Sequence, residues 1–252
     1  MLEFKNVCVS VSKTPILKDI SVIFEEGKIT SIVGPNGSGK TTLLQTLNGI
    51  STVTAGKIMI DGESYLDFSV RERAKRLSFM PQFRESAPSI SVKGLVEHGR
   101  FPYMGFSRMM NADDRAAVEH ALEYVQLLEY RDCMVNELSG GLQQRVYLAM
   151  QLAQNSTYMV LDEPMNYLDF PSQRQMYRLI TSLKDEGKTI ILVLHDLNRA
   201  LQISDNVVVM KDRRIMGCKS PKECIESGLI EEVFECRVDC IDTNGVSQYI
   251  FT

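Results

Sequence analysis

The run IVGPNGSGKTTLL gathers residue types suited to holding a polyphosphate. Gly34, Pro35, Asn36, Gly37, Ser38, Gly39, Lys40 and Thr41 satisfy G-x-x-x-x-G-K-[ST], and Thr42 follows. The glycines let backbone N–H groups turn toward phosphate oxygens, and a helix start adds the positive end of its dipole. Lys40 is expected to reach the β- and γ-phosphates, and the Thr41 hydroxyl to ligate Mg²⁺. Chance alone would produce the pattern in roughly one chain in a hundred of this length. YMVLDEP, Tyr158–Pro164, supplies a second set. Asp162 ends an apolar run and is placed to hold Mg²⁺, usually through a water. Glu163, a second carboxylate, is more than metal binding requires and suggests a general base for an attacking water. His195 closes TIILVLHD, and Gln82 ends the short apolar stretch SFMPQ. Taken singly, such a histidine is more often structural and such a glutamine a polar loop residue. A further glycine-opened helix start, Ser139-Gly140-Gly141 in NELSGGLQQRVYLAM, is surplus to a chain that binds one nucleotide.

The elements that must position these residues follow from periodicity. Leu2–Val11 and Asp19–Glu25 alternate and read as antiparallel strands. Lys28–Val33 is a short strand running into the glycine loop, and Thr41–Asn48 a helix ended by Gly49. Thr157–Leu161, Thr189–Leu194 and Asn206–Met210 are continuous apolar runs rich in β-branched residues, the pattern of buried parallel strands. Helical stretches at Pro171–Asp185 and Asp196–Ile203 lie between them, so a doubly wound α/β core is expected. His195 then falls at the carboxyl edge, where such sheets bind ligands. Residues 83–136 break the alternation, with helices at Ser91–Gly99 and Asn111–Tyr130. The fold class is therefore α/β, a mostly parallel phosphate-loop core with N-terminal antiparallel strands and an inserted helical lobe. Residues 1–82 and 155–252 are assigned to the core, and 83–154 to the lobe with the second glycine-opened helix. A turn at Asp212-Arg213-Arg214 and a hairpin around Asn244-Gly245 are expected in the tail.

Composition narrows the class. The chain has 252 residues, 44% apolar and 24% charged, with a net charge of −4, and its isoelectric point near 5.5 argues against a broad nucleic-acid footprint. No apolar stretch approaches the ~20 residues of a membrane span. MLEFKNV lacks the marks of a signal peptide, so a cytosolic protein is expected unless something carries it to a membrane. Six cysteines form no C-x-x-C pair, which favours inert thiols over zinc or disulfides.

In combination, GPNGSGKTT, Gln82, LSGGLQQR, YMVLDEP, NYLD and His195 resemble the ATP-binding cassette ATPases over nearly the whole chain. That resemblance implies two cassettes packed head to tail, each ATP lying between the 34–41 loop of one copy and Ser139-Gly140-Gly141 of the other. Physical chemistry is compatible, since a helix start with free N–H groups is an anion site without a charged side chain. The resemblance further implies a γ-phosphate contact for His195, a metal or water contact for Gln82, and a place at the dimer interface for Asp169. ATP and Mg²⁺ are the implied ligands. Two departures stand out. The position usually occupied by an aromatic under the adenine is Val11, and Leu142 replaces the usual glutamine after the two glycines.

SVKGLVEHGRFPYMGF resembles most the importer subfamily for iron–siderophores, haem and cobalamin. It implies a homodimer under two transmembrane permease subunits at the cytoplasmic face, served indirectly by an extracytoplasmic solute-binding protein. Phe101, Tyr103, Met104 and Phe106 are the expected rim for a docking helix of the membrane subunit. The alternatives are a cassette for another solute or an exporter, and a soluble mechanical ATPase acting on nucleic acid or ribosomes. The acidic balance and the single cassette disfavour the last, and no nucleic-acid partner is expected. A guanine-specific N-K-x-D motif is absent.

Overall fold

The computed structural model describes residues 1–12, 14–80, 87–105, 109–243 and 246–252. The first elements are β1 (Leu2–Val11), β2 (Thr14–Phe24), β3 (Ile29–Val33), α1 (Lys40–Leu47), β4 (Val53–Ile60) and β5 (Glu63–Ser64). Then come α2 (Val70–Arg76), β6 (Leu77–Met80), α3 (Val92–Glu97), α4 (Ala112–Tyr124), α5 (Gly140–Gln154), β7 (Tyr158–Asp162) and α6 (Phe170–Asp185). The chain closes with β8 (Thr189–Val193), α7 (Leu197–Ile203), β9 (Asn206–Lys211), β10 (Arg214–Lys219), α8 (Pro221–Glu226), α9 (Leu229–Phe234), β11 (Val238–Thr243) and β12 (Val246–Phe251). Among the described residues, no helix is long and apolar enough to cross a membrane.

One compact unit comprises Met1–Asp67 and Thr189–Thr252. Its antiparallel sheet has the order β2-β1-β4-β5. Phe4 and Phe24 are buried there edge to face, with ring centroids 6.0 Å apart. β3 is parallel to both β8 and β9, pairing Ile32 with Val193 and with Val208. Every residue of β3 and β8 is buried, which is why both are apolar without alternation. β10 adds an antiparallel edge through the expected turn, where Asp212 and Arg213 have φ of 49° and 69°. Positive φ at two successive positions suits the twist of a two-residue hairpin. β11 and β12 pair antiparallel from Val238↔Phe251, while the expected turn at Asn244-Gly245 lies outside the described residues.

The other unit is Phe68–Lys188. β6 and β7 run parallel, Met80 opposite Leu161, and α5 packs against α3 and α4. Beyond the helices at 83–154 this unit takes in α2, β6, β7 and α6, and its polar contacts show why. Gln154 donates through Nε2 to the carbonyls of Ala74 (2.5 Å) and Leu77 (3.1 Å), and Ser156 Oγ donates to Ser78 Oγ at 2.9 Å. α4 begins at a capping box formed by Asn111 and Asp114. It ends at Tyr124, short of the expected Tyr130, because Gln126 adopts a φ of 58°. The apolar positions on either side of that turn, Val125 and Leu127, are fully buried. The α3 segment, capped by Ser91, passes into a 3-10 turn at His98–Arg100.

Candidate active site

The glycine loop grows out of the buried end of β3. A Cβ at Gly34 would lie 2.2 Å from the Met210 carbonyl oxygen, and one at Gly39 only 2.7 Å from Leu17 Cδ2. Gly39 caps α1 with φ 102°, in the region that glycine alone enters readily. Ser38 N–H donates to the Pro35 carbonyl at 3.2 Å. Lys40, buried at 6% exposure, curls back so that Nζ donates to the carbonyls of Gly34 (2.8 Å) and Pro35 (3.1 Å). The Ser38 hydroxyl is buried without a hydrogen-bond partner among the described residues. A buried polar atom of that kind suits an oxyanion filling the loop. Thr41 and Thr42 stand half-buried in the first turn of α1.

His195 comes two residues after β8, whose Val193 is level with Ile32, so it emerges at the sheet edge that carries the glycine loop. It is exposed, and the following Asp196 caps α7 by accepting from Arg199 N–H at 3.1 Å. Val11 ends β1 opposite Thr14 and is 59% exposed. The two aromatics that precede Gly34, Phe4 and Phe24, are committed to the core.

In the Phe68–Lys188 unit, all of β7 is buried down to Asp162. Glu163 follows at φ 53°, a left-handed conformation rare for glutamate, and is 8% exposed. Asn166 fixes it twice. Its side-chain amide donates to a Glu163 carboxylate oxygen, and its backbone N–H donates to the Glu163 carbonyl at 3.2 Å. Asn166 was not among the residues singled out from sequence, although its place three residues after Glu163 within NYLD was the available signal. Asp169 caps α6 by accepting from Ser172 N–H at 3.0 Å. Its hydrogen bonds with Ser172 hold its carboxyl below the usual range.

Ser139 caps α5, accepting from Leu142 N–H at 3.5 Å, and Ser139 and Gly140 are exposed. Val146, Ala149 and Ala153 are buried along the expected face, and Leu142 is half-buried. Gln82 and Phe106 lie outside the described residues. Phe101 is 56% exposed, stacked on His98 at 4.6 Å, whereas Tyr103 and Met104 are half-buried. All six cysteines are free thiols. Cys224 is buried and its pKa is pushed up to about 11 by that burial. Among the described residues no cluster of three or more metal-ligating side chains occurs.

The profile of the family described as ABC transporter matches residues 17–166. The chain belongs to the ABC transporter family. It is 36% identical over 252 residues to the petrobactin import ATP-binding protein YclP of Bacillus subtilis (strain 168), covering 99% of each chain. It is 35% identical over 228 residues to the iron(3+)-hydroxamate import ATP-binding protein FhuC of the same organism, covering 90% of this chain and 84% of that one. A dimeric bacterial ABC transporter cassette superposes with a TM-score of 0.76 at 28% identity, covering 88% of this chain and 99% of that one. The chain thus has the ABC cassette fold, mixed α/β with a mostly parallel sheet and an antiparallel one. It is an ATP-binding, ATP-hydrolysing protein of that family.

Proposed function

We propose that this chain is the ATPase subunit of an iron–siderophore importer, working as a homodimer beneath two membrane permease subunits at the cytoplasmic face. An extracytoplasmic binding protein delivers the solute to those permeases. The observation that carries this is the 36% identity to a petrobactin import subunit across 99% of both chains. The iron(3+)-hydroxamate relative narrows the solute from the wider set of iron–siderophore, haem and cobalamin to a ferric chelate.

Lys40 exchanges the Gly34 and Pro35 carbonyls for the β- and γ-phosphates of ATP. Ser38 and the loop amides complete the phosphate cradle. Thr41 and Asp162 offer the hard oxygen donors that suit Mg²⁺, with Gln82 as a further one. Bound there, the metal neutralises phosphate charge. Glu163, its carboxylate oriented by Asn166, takes the proton of the attacking water. His195 contacts the γ-phosphate from the β8 edge. Ser139, Gly140 and Gly141 of the second copy close over the nucleotide, with Asp169 at the seam. Phe101, Tyr103, Met104 and Phe106 receive a cytoplasmic helix of the permease. The 56% exposure of the aromatic Phe101 supports that assignment.

Glu163→Gln tests the chemistry. ATP binding should persist while turnover falls roughly 100-fold or more and an ATP-bound dimer accumulates on gel filtration. Turnover near wild type would remove Glu163 from this role. Tagged chain purified from gently solubilised native membranes tests the assembly: a polytopic partner should accompany it. Recovery only with nucleic acid or ribosomes would overturn the transport assignment and leave the ATPase standing.

A further inference from the structure

Arg100 ends the 3-10 turn just before the exposed Phe101, yet it is itself only 6% exposed. A buried guanidinium is costly unless its donors are satisfied. Here Nε and Nη2 both donate to Oδ1 of Asp114 at 2.9 Å, and Nη1 donates to the Ala153 carbonyl at 2.7 Å. Asp114 is 1% exposed, and its other oxygen accepts the Asn111 N–H at the start of α4. One side chain therefore ties the turn to the first turn of α4 and the last turn of α5.

The adjacent Gly99 brings the turn directly onto α5. A Cβ there would lie 2.2 Å from the Met150 carbonyl oxygen and 3.0 Å from Gln154 N. The segment after Phe101 is gripped from α2 as well. Arg71 donates through Nε to the Pro102 carbonyl (2.7 Å) and through Nη2 to the Met104 carbonyl (2.6 Å). The Tyr103 ring lies 3.9 Å from the Arg100 guanidinium carbon and 5.1 Å from Lys75 Nζ, both within cation–π range. A surface that only had to be sticky would need none of this bracing. Its mounting point is the end of α5 opposite Ser139-Gly140-Gly141, and the helix between is a stiff rod about 22 Å long.

We propose that Arg100 is a positioning residue that turns displacement of the Phe101–Met104 rim into movement of α5 and its serine–glycine start. This rests on the docking role assigned to that rim under Proposed function. Without Arg100, Arg71 still holds the rim's carbonyls and the rim still binds, but it moves without α5.

The test uses the complex with its membrane subunits in nanodiscs, and the isolated chain beside it. Arg100→Lys keeps the charge and loses the fork; Arg100→Met with Asp114→Asn leaves no buried charge unpaired. Both should keep co-purification with the membrane subunits, and turnover of the isolated chain, within about twofold of wild type. Turnover stimulated by solute-loaded binding protein should fall at least about fivefold. In the isolated chain, exchange of the Tyr103 and Met104 amides, which donate to the Arg100 carbonyl at 2.8 and 3.3 Å, should quicken about tenfold, with protection elsewhere unchanged. Stimulation that survives, or that falls only in proportion to the amount co-purified, overturns the proposal. Unchanged exchange overturns the clamp by itself. Phe101→Asp separates the two claims: if it leaves co-purification intact, the docking role fails, whatever the exchange data say of Arg100.

Discussion

Of the helices that start at glycines, α1 and α5 use them to opposite ends. In the loop before α1, Gly37 and Gly39 hold φ of 77° and 102°, and neighbouring atoms leave no room for a Cβ at Gly34 or Gly39. The chain's own backbone and packing demand them. At α5, Gly140 has no positive φ, and a Cβ there would meet nothing within 4 Å. Gly141 is constrained only by Ser172, whose Oγ would be 2.5 Å away. Among the described residues nothing accounts for Gly140. The first set shapes a loop within one copy, and the second leaves the surface clear, as the proposed head-to-tail dimer requires.

That contrast predicts opposite stability effects. Gly39→Ala should cost about 1–3 kcal/mol of folding stability through the forced φ and the Leu17 contact. It should also weaken ATP binding about 100-fold or more; calorimetric titration and thermal melts check both, and wild-type affinity would show that the loop yields. Gly140→Ala should instead stabilise the fold by about 0.5–1 kcal/mol, as alanine does for glycine in a helix. Its turnover and ATP-driven dimerisation should nonetheless fall about tenfold, since small misplacements across a reacting site are expensive. Normal turnover would mean that nothing approaches Gly140 closely. The smallest effect concerns Val11. Val11→Tyr should tighten ATP binding by about 1 kcal/mol, roughly fivefold, by adding a stacking ring. In the wild type GTP should compete with ATP in a filter assay; its failure to compete would show that adenine is selected by other means.

Much of this was legible because local chemistry and tertiary role coincide. The strand–loop–helix at 28–48, the buried runs at β7, β8 and β9, and the Asn111 cap each announce themselves within a few residues. The gaps have physical causes. β2 begins at Thr14 instead of Asp19, and Pro15, which demotes a strand, hides its first half. α2 buries none of its residues, so it carries no apolar periodicity to read. At the site, Glu163 and Asp162 could be named from sequence, but the left-handed backbone of Glu163 and its Asn166 tether could not. The Arg100–Asp114 pair joins residues on separate elements, and no local pattern encodes that.

The choice of cap at α5 has one more consequence. α6 starts at Asp169, whose carboxylate accepts from Ser172 N–H; α5 starts at Ser139, whose hydroxyl oxygen accepts from Leu142 N–H. A carboxylate can only accept, whereas a hydroxyl that accepts still has a proton to give. Ser139 can therefore go on holding its own helix while offering an O–H to an arriving oxyanion. In the proposed dimer, capture and release at that helix start would need only the swing of a single O–H bond, with the first turn of backbone intact throughout.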